Sequence, residues 1–302
     1  MLQGLCVMAA LLAAVALFGV VEQVISGAEP AISRFGISFI WHTEWEPVFN
    51  RLGAGTALYG TAVCSLMALV IATPLGVAIG LYLSMLAPRR VARIVGPLVE
   101  MLAAVPSIVL GLWGLIVLAP YVQRHVEPFL HSLLGFLPIF GPPQTTGLSL
   151  FTAGLLVTFM VLPIISALSR DLFLTVPPEL TDAAEALGAT RWEVIRGVVL
   201  PTTISGVIAA TVLGLGRALG EAIAVFFVVG DGAGIKASLF APGMSVAARI
   251  ANDFPGAITN IQVSALWYLA LILLVIGFAT SALARSVARR FDVGLVLGGV
   301  RG

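Results

Sequence analysis

From Leu52 to Pro88 the chain carries no charged residue. A soluble fold has no use for so long an uncharged run, whereas a helix crossing a bilayer needs about 20 consecutive apolar residues. Five more stretches of that kind follow from the same criterion. The predicted spans are Leu5–Ile25, Gly60–Leu86, Ile94–Leu118, Phe151–Leu174, Thr202–Val229 and Ser264–Ala284. The expected fold class is therefore an all-α membrane protein of about six transmembrane helices, one transmembrane domain over 1–302, with lipid as its solvent. Composition agrees: 59% of the 302 residues are hydrophobic and 10% are charged, against about 25% in soluble domains. A net charge of +1 gives no electrostatic case for nucleic acid.

Orientation follows from the basic residues. Six spans put both termini on one side of the membrane. That side would hold Arg89, Arg90, Arg93, Arg170, Arg191, Arg196, Arg285, Arg289, Arg290 and Arg301; the other would hold Arg34, Arg51, Arg124, Lys236 and Arg249. The positive-inside rule makes the first side cytoplasmic, and with it both termini and the polar segment Pro177–Pro201. Trp41 and Trp45 then fall in an outer loop, where indole suits the membrane interface. No Lys or Arg precedes Arg34, so the apolar N-terminal run reads as a retained first helix rather than a cleaved signal peptide. Pro128, Pro138, Pro142 and Pro143 make Tyr121–Leu150 read as a loop with a short interfacial helix. Gly76/Gly80 and Gly216/Gly220 have the small-xxx-small spacing that lets helices approach closely in lipid.

Several chemistries find no support. Lys236 is the one lysine and follows Ile235, so the Gly-Lys-Ser/Thr loop of P-loop ATPases is missing. Any ATP hydrolysis falls to another chain, and the expectation is that this one is not an enzyme. Cys6 and Cys64 sit in apolar runs and read as small buried hydrophobes. His42, His125 and His131 fall in expected connecting segments without ligand spacing, so neither metal nor cofactor is expected.

The most specific feature is Asp182-Ala183-Ala184, then Gly188 after three residues, then Val198, then Leu200-Pro201. The segment resembles the EAA loop of ABC-importer permeases, with Asp182 in place of Glu and Val198 in place of Ile. Its physics is readable directly. Pro177 and Pro178 stop span four, and Glu179, Asp182 and Glu185 place negative charge near the start of a short helix, favourable to its dipole. Gly188 permits the left-handed turn that ends it. Thr190, with Glu193 three residues on, forms a capping box for a second helix, and Pro201 lies near the start of span five. The result is a helix–turn–helix knob. The alternative, an amphipathic helix lying on the membrane, would want Lys and Arg across its polar face.

Span five holds a second feature. Arg217 and Glu221 stand four residues apart, on one face of a continuous helix and deep in the span. A charge there costs about 2.5–3.5 kcal/mol on insertion scales, so such residues usually serve function. Guanidinium presents a planar fork of donors suited to oxyanions. Arg217 is read as meeting an anion in the path, and Glu221 as holding it in place and moderating its grip. A structural ion pair, or an Arg217 partner on another subunit, remains the alternative. Glu100 reads as a hydrated interfacial carboxylate.

These stretches, with Phe35–Phe39, Glu44–Val48, Tyr59-Gly-Thr, Pro74–Gly76, Glu100–Ser107, Gly111–Gly114 and Gly216–Glu221, resemble the phosphate-import permease family in its PstC-type branch. Ala222 departs from the family's usual Thr. The resemblance implies the type I importer (MetI-like) permease fold, a bacterial inner-membrane location and a role as one of two pore subunits. It also implies three kinds of partner: a PstA-type second permease, a dimer of ATPase subunits docked on Asp182, Ala183, Ala184, Gly188, Leu200 and Pro201, and a periplasmic phosphate-binding protein. Another oxyanion such as sulfate or molybdate, or a secondary transporter without an ATPase, are the competing expectations.

Overall fold

The computed structural model describes residues 2–290. Six of its helices are long and apolar enough to cross a membrane. Helix α1 (Leu2–Phe35) leads to a two-stranded antiparallel hairpin, β1 (Trp45–Glu46) and β2 (Arg51–Leu52). After α2 (Gly55–Leu81) comes the shorter α3 (Arg89–Ala103), then α4 (Ser107–Leu134) and α5 (Leu150–Leu174). The knob helix α6 (Pro178–Ala186) precedes α7 (Arg191–Gly220) and the short α8 (Ile223–Val229). Helix α9 (Val246–Asp253) and the long α10 (Asn260–Arg290) complete the order. Arg301, counted above on the cytoplasmic side, lies outside the described residues.

Helices α2 and α5 pack along one another at the centre, and small residues explain how closely. A Cβ on Gly76 would sit 2.9 Å from the Ile165 side chain, and one on Gly80 would sit 2.9 Å from the Arg170 backbone. That pair does the packing its spacing predicts. Gly216 and Gly220 do not: a Cβ on either meets nothing within 4 Å. Around the α2–α5 pair, Leu156, Val161, Ile165, Val225 and Val228 form the main buried cluster, joining α8 to α5. A second cluster joins α1, the hairpin, α9 and α10 through Ala28, Phe39, Leu52, Val246 and Leu269. The first half of α1 projects from the bundle with Leu12 and Phe18 exposed. Cys64 is buried, but Cys6, expected to be buried as well, is exposed on that projecting half.

The third span differs from expectation. Arg89–Ala103 is a separate helix, the chain breaks at Ala104–Pro106, and the span is Ser107–Leu134 rather than Ile94–Leu118. Most of the expected loop up to Leu134 is helix, so His125 and His131 lie on a span and not in connections. The reason is a repeated device. Tyr82–Leu86, Gly114–Leu118, Val122–Val126 and Ile195–Val199 are π turns, each ending two residues before a proline. The residue preceding that proline donates its N–H five residues back: Ala87 to Tyr82, Ala119 to Gly114, Glu127 to Val122 and Leu200 to Ile195. A proline ring clashes with the carbonyl four residues earlier. The widened turn relieves that clash. Helix therefore continues through Pro120, Pro128 and Pro201.

Candidate functional site

Arg217 and Glu221 do come together, but not inside a continuous helix. Helix α7 ends at Gly220; Glu221 is extended at φ −74 and ψ 112, and α8 starts anew at Ile223. The expected span 202–229 is thus two helices with a break at the acid. The local sequence favours this, since Gly214, Gly216 and Gly220 weaken the helix. The Glu221 side chain then serves both pieces. Its Oε2 lies 3.5 Å from Arg217 Nη2, and its Oε1 accepts from the Ala224 N–H at 3.4 Å, satisfying one of the donors orphaned at the start of α8. The carboxylate is buried at 8% exposure while the guanidinium is open at 41%. Glu221 is the anchor, and Arg217 is the group presented outward. Irregular backbone at membrane depth is tolerated where it is enclosed by protein or lines a cavity.

A cavity lies on that side. It measures about 520 Å³ and is walled by one face of α7 from Ala209 to Arg217, by Ile164 of α5 and by Ser281, Ala284 and Arg285 of α10. Among the described residues, Arg217 and Arg285 are the only charged ones in its lining. Gly216 belongs to the wall, which explains why its spacing with Gly220 produces no helix contact: the glycine keeps space open. Arg285 entered the sequence reading only as a marker of orientation.

The other predicted cluster forms a knob at the far end of α7. Helix α6 carries Asp182, Ala183 and Ala184; Gly188 follows with φ +90, a conformation that favours glycine. The Thr190 side chain accepts from the Glu193 N–H, and Glu193 reaches back to the Thr190 N–H at 2.7 Å, forming the capping box. Ala184, Ala189 and Leu200 pack against the buried cluster of Phe173, Val194, Val199 and Val207, which fixes the knob to α5 and α7. Asp182, Ala183 and Gly188 face outward. So do two apolar side chains, Leu187 at 89% and Trp192 at 63%. Pro201 does not mark the start of a helix. It lies within α7, so the second knob helix and the Arg217 helix are one continuous element from Arg191 to Gly220.

Three other polar contacts set the frame. Glu100 is not merely hydrated: its Oε1 accepts from Arg170 Nη1 at 2.8 Å, pinning α3 to α5, and a Cβ on Gly96 would press on that guanidinium at 2.6 Å. Glu127 is fully buried on α4. Its Oε2 accepts from the Gln144 N–H at 3.0 Å, tying α4 to the segment before α5, while Oε1 has no partner among the described residues. At the opposite end from the knob, Arg249 lies 3.4 Å from Asp231 and 3.6 Å from Asp253, beneath the Trp45 ring. Trp45 Nε1 donates to Asp253 at 2.6 Å, so the hairpin is bound to α9. Among the described residues no cluster of three metal-ligating side chains occurs.

The sequence matches the family described as binding-protein-dependent transport system inner membrane component over residues 72–293. It is 43% identical to the phosphate transport system permease protein PstC of Mesorhizobium japonicum over 289 residues, covering 94% of this chain and 88% of that protein. The identity to the protein of the same name in Pasteurella multocida is 43% over 281 residues, covering 91% and 87%. For PstC 2 of Mycobacterium tuberculosis it is 38% over 268 residues, covering 86% and 82%. Among solved structures, a chain of a bacterial alginate ABC transporter in complex with an alginate-bound periplasmic protein aligns with a TM-score of 0.63 at 16% identity, covering 96% of both chains. A chain of the inward-facing MetNI methionine ABC transporter aligns at 0.56 and 20% identity, covering 82% of this chain and 99% of that one. At these identities the likeness is one of fold.

Proposed function

This chain belongs to the binding-protein-dependent transport inner-membrane component family and, within it, to the PstC-type phosphate permeases, and on that premise we propose that it is one of two pore-forming subunits of an ATP-driven importer of inorganic phosphate. Its partners are a PstA-type permease, a pair of ATPase subunits and a periplasmic phosphate-binding protein. It is a multi-pass membrane protein; we place it in the bacterial inner membrane with both termini and the knob in the cytoplasm. Hydrolysis belongs to the ATPase subunits, and this chain converts their motion into access for the anion.

One observation carries the reading: α7 bears the knob at one end and Arg217 near the other. From Arg191 to Arg217 is about 39 Å at the rise of an α-helix. A force on the knob is transmitted along that length without a loop to absorb it. The exposed surface of Asp182, Ala183 and Leu187 seats in a groove of an ATPase subunit, with Gly188 supplying the sharp elbow. Closure of the ATPases then tilts α7 and changes which side of the membrane the Arg217 cavity faces.

At the cavity, the guanidinium offers charge-assisted hydrogen bonds to an oxyanion in a largely apolar wall. Glu221 competes for the same donors at 3.5 Å and keeps the anion from binding too tightly to leave. The test is uptake of radiolabelled phosphate into vesicles carrying the assembled importer. Arg217→Gln should abolish uptake while membrane insertion and co-purification with the partners stay normal. Normal uptake by that variant overturns the role of Arg217. Failure of excess sulfate and molybdate to compete is the expected outcome for a phosphate carrier.

A further inference from the structure

We infer that Arg285 is a second anion contact in the same cavity, so that the oxyanion passes between two guanidinium groups before it leaves. This rests on the reading that the Arg217 cavity is the transport path.

The cavity wall is uniform in sign. Two arginines line it, one on α7 and one on α10, and no carboxylate among the described residues does. Glu221 stays outside the lining, buried behind Arg217. Among the described residues, no acid lies within the 4.0 Å ion-pair distance of Arg285. Among the described residues, two like charges line one apolar wall with no counter-charge in it. An anion in the cavity supplies that counter-charge, and an oxyanion has acceptors for each guanidinium fork as it reaches it. A water molecule occupies about 30 Å³ of liquid, so the cavity of about 520 Å³ holds such an anion with part of its hydration shell.

The helix directions place the two cations at opposite ends. Helix α7 runs from the knob toward α8 and α9, and α10 starts beside α9 and runs back along α7. Moving along the wall from Ala209 to Arg217 leads away from the knob; moving from Ser281 to Arg285 leads toward it. The α7 wall from Ala209 to Arg217 is about 12 Å long at helical rise. One anion therefore meets Arg217 at the end remote from the knob and Arg285 at the near end, with the Ser281 hydroxyl on the way. Two moderate sites in series let an ion enter without being trapped, as conduction requires.

The experiment uses the complete importer reconstituted in liposomes with its binding protein, reading initial rates of phosphate uptake for Arg285→Gln, Arg285→Lys and Arg217→Gln. Arg285→Gln should slow uptake about tenfold or more, the size expected for losing one charge-assisted hydrogen bond, and Arg285→Lys should retain most of the rate. Wild-type uptake by Arg285→Gln beside an inactive Arg217→Gln overturns the second contact and leaves the first reading standing. Wild-type uptake by Arg217→Gln removes the cavity from the path and this inference with it. Should Arg285→Gln fail to assemble, Arg285→Cys in a background of Cys6→Ser and Cys64→Ser is assembled and then treated with 2-aminoethyl methanethiosulfonate, which restores a positive charge. Recovery with that reagent and none with the neutral methyl reagent supports the contact; equal rates with both reagents overturn it.

Discussion

Arg217 and Glu221 lie 3.5 Å apart across a helix end, with the acid buried and the base open to a cavity. The asymmetry assigns them different work. The acid is held twice, by Arg217 and by the Ala224 N–H, so it stays in place when an anion draws the guanidinium away.

That arrangement makes Glu221→Gln informative. The amide oxygen still accepts from Ala224, so α8 keeps its start, but the competing charge is gone. Arg217 then binds the anion more tightly and releases it more slowly. We expect apparent KM for phosphate to fall together with maximal uptake, each by about tenfold, the scale of one charge-assisted hydrogen bond. Parallel assays of binding-protein-dependent uptake over a range of phosphate concentration read both quantities. A raised KM with unchanged maximal rate would show that Glu221 does not restrain Arg217.

Gly188 tests the knob without touching the cavity. Its φ is +90, and a Cβ there meets nothing within 4 Å, so Gly188→Ala carries a purely conformational cost of about 1–2 kcal/mol. The elbow between α6 and α7 should relax into another geometry while the bundle stays folded. The expected result is an unchanged melting temperature in detergent, weaker co-purification of the ATPase subunits, and less ATP hydrolysis on adding phosphate-loaded binding protein. Full coupling in this variant would mean that the left-handed turn is not needed for docking.

How much of this was legible in the sequence depends on whether the deciding contact is local. Thr190 and Glu193 are three residues apart and form their capping box as read, and Gly188 adopts the turn expected of it. Uncharged runs located most of the long apolar helices, because suitability for lipid depends on the length and composition of a local stretch. Proline misled the reading at Pro128, where a π turn just upstream absorbs the clash. Helical spacing placed Glu221 on one face with Arg217 but could not show the break, which depends on a side chain capping the next helix. Arg285 shows the same limit: its position near a helix end marks orientation, while its place in the cavity needs α7 beside it.

The two glycine pairs give a contrast in stability. Gly76→Ala puts a methyl 2.9 Å from the Ile165 side chain, where α2 and α5 cannot separate without opening the main core. Overpacking of this kind costs about 1–3 kcal/mol. Gly216→Ala meets nothing within 4 Å. We expect the first variant to melt several degrees lower in detergent and the second to melt at or slightly above the parent, since Ala favours helix by about 1 kcal/mol over Gly. Any change in Gly216→Ala should appear in transport, because the methyl projects into the cavity. Equal melting temperatures for the two variants would contradict the assigned packing.

Glu127 gives the last prediction. One carboxyl oxygen accepts from the Gln144 N–H, and the other is buried with no partner among the described residues. The useful part of the side chain is thus the acceptor that fastens α4 to the segment before α5; a buried negative charge carries a desolvation penalty. Glu127→Gln keeps that acceptor and the shape while removing any charge. Glu127→Ala leaves the Gln144 N–H unsatisfied, at a cost of about 1–3 kcal/mol, and opens a void as well. The melting temperature of Glu127→Gln should equal or exceed that of the parent, and Glu127→Ala should melt several degrees lower. If the glutamine variant fell as far as the alanine one, the ionised carboxylate itself would be the stabilising group, with a cation partner brought by another subunit.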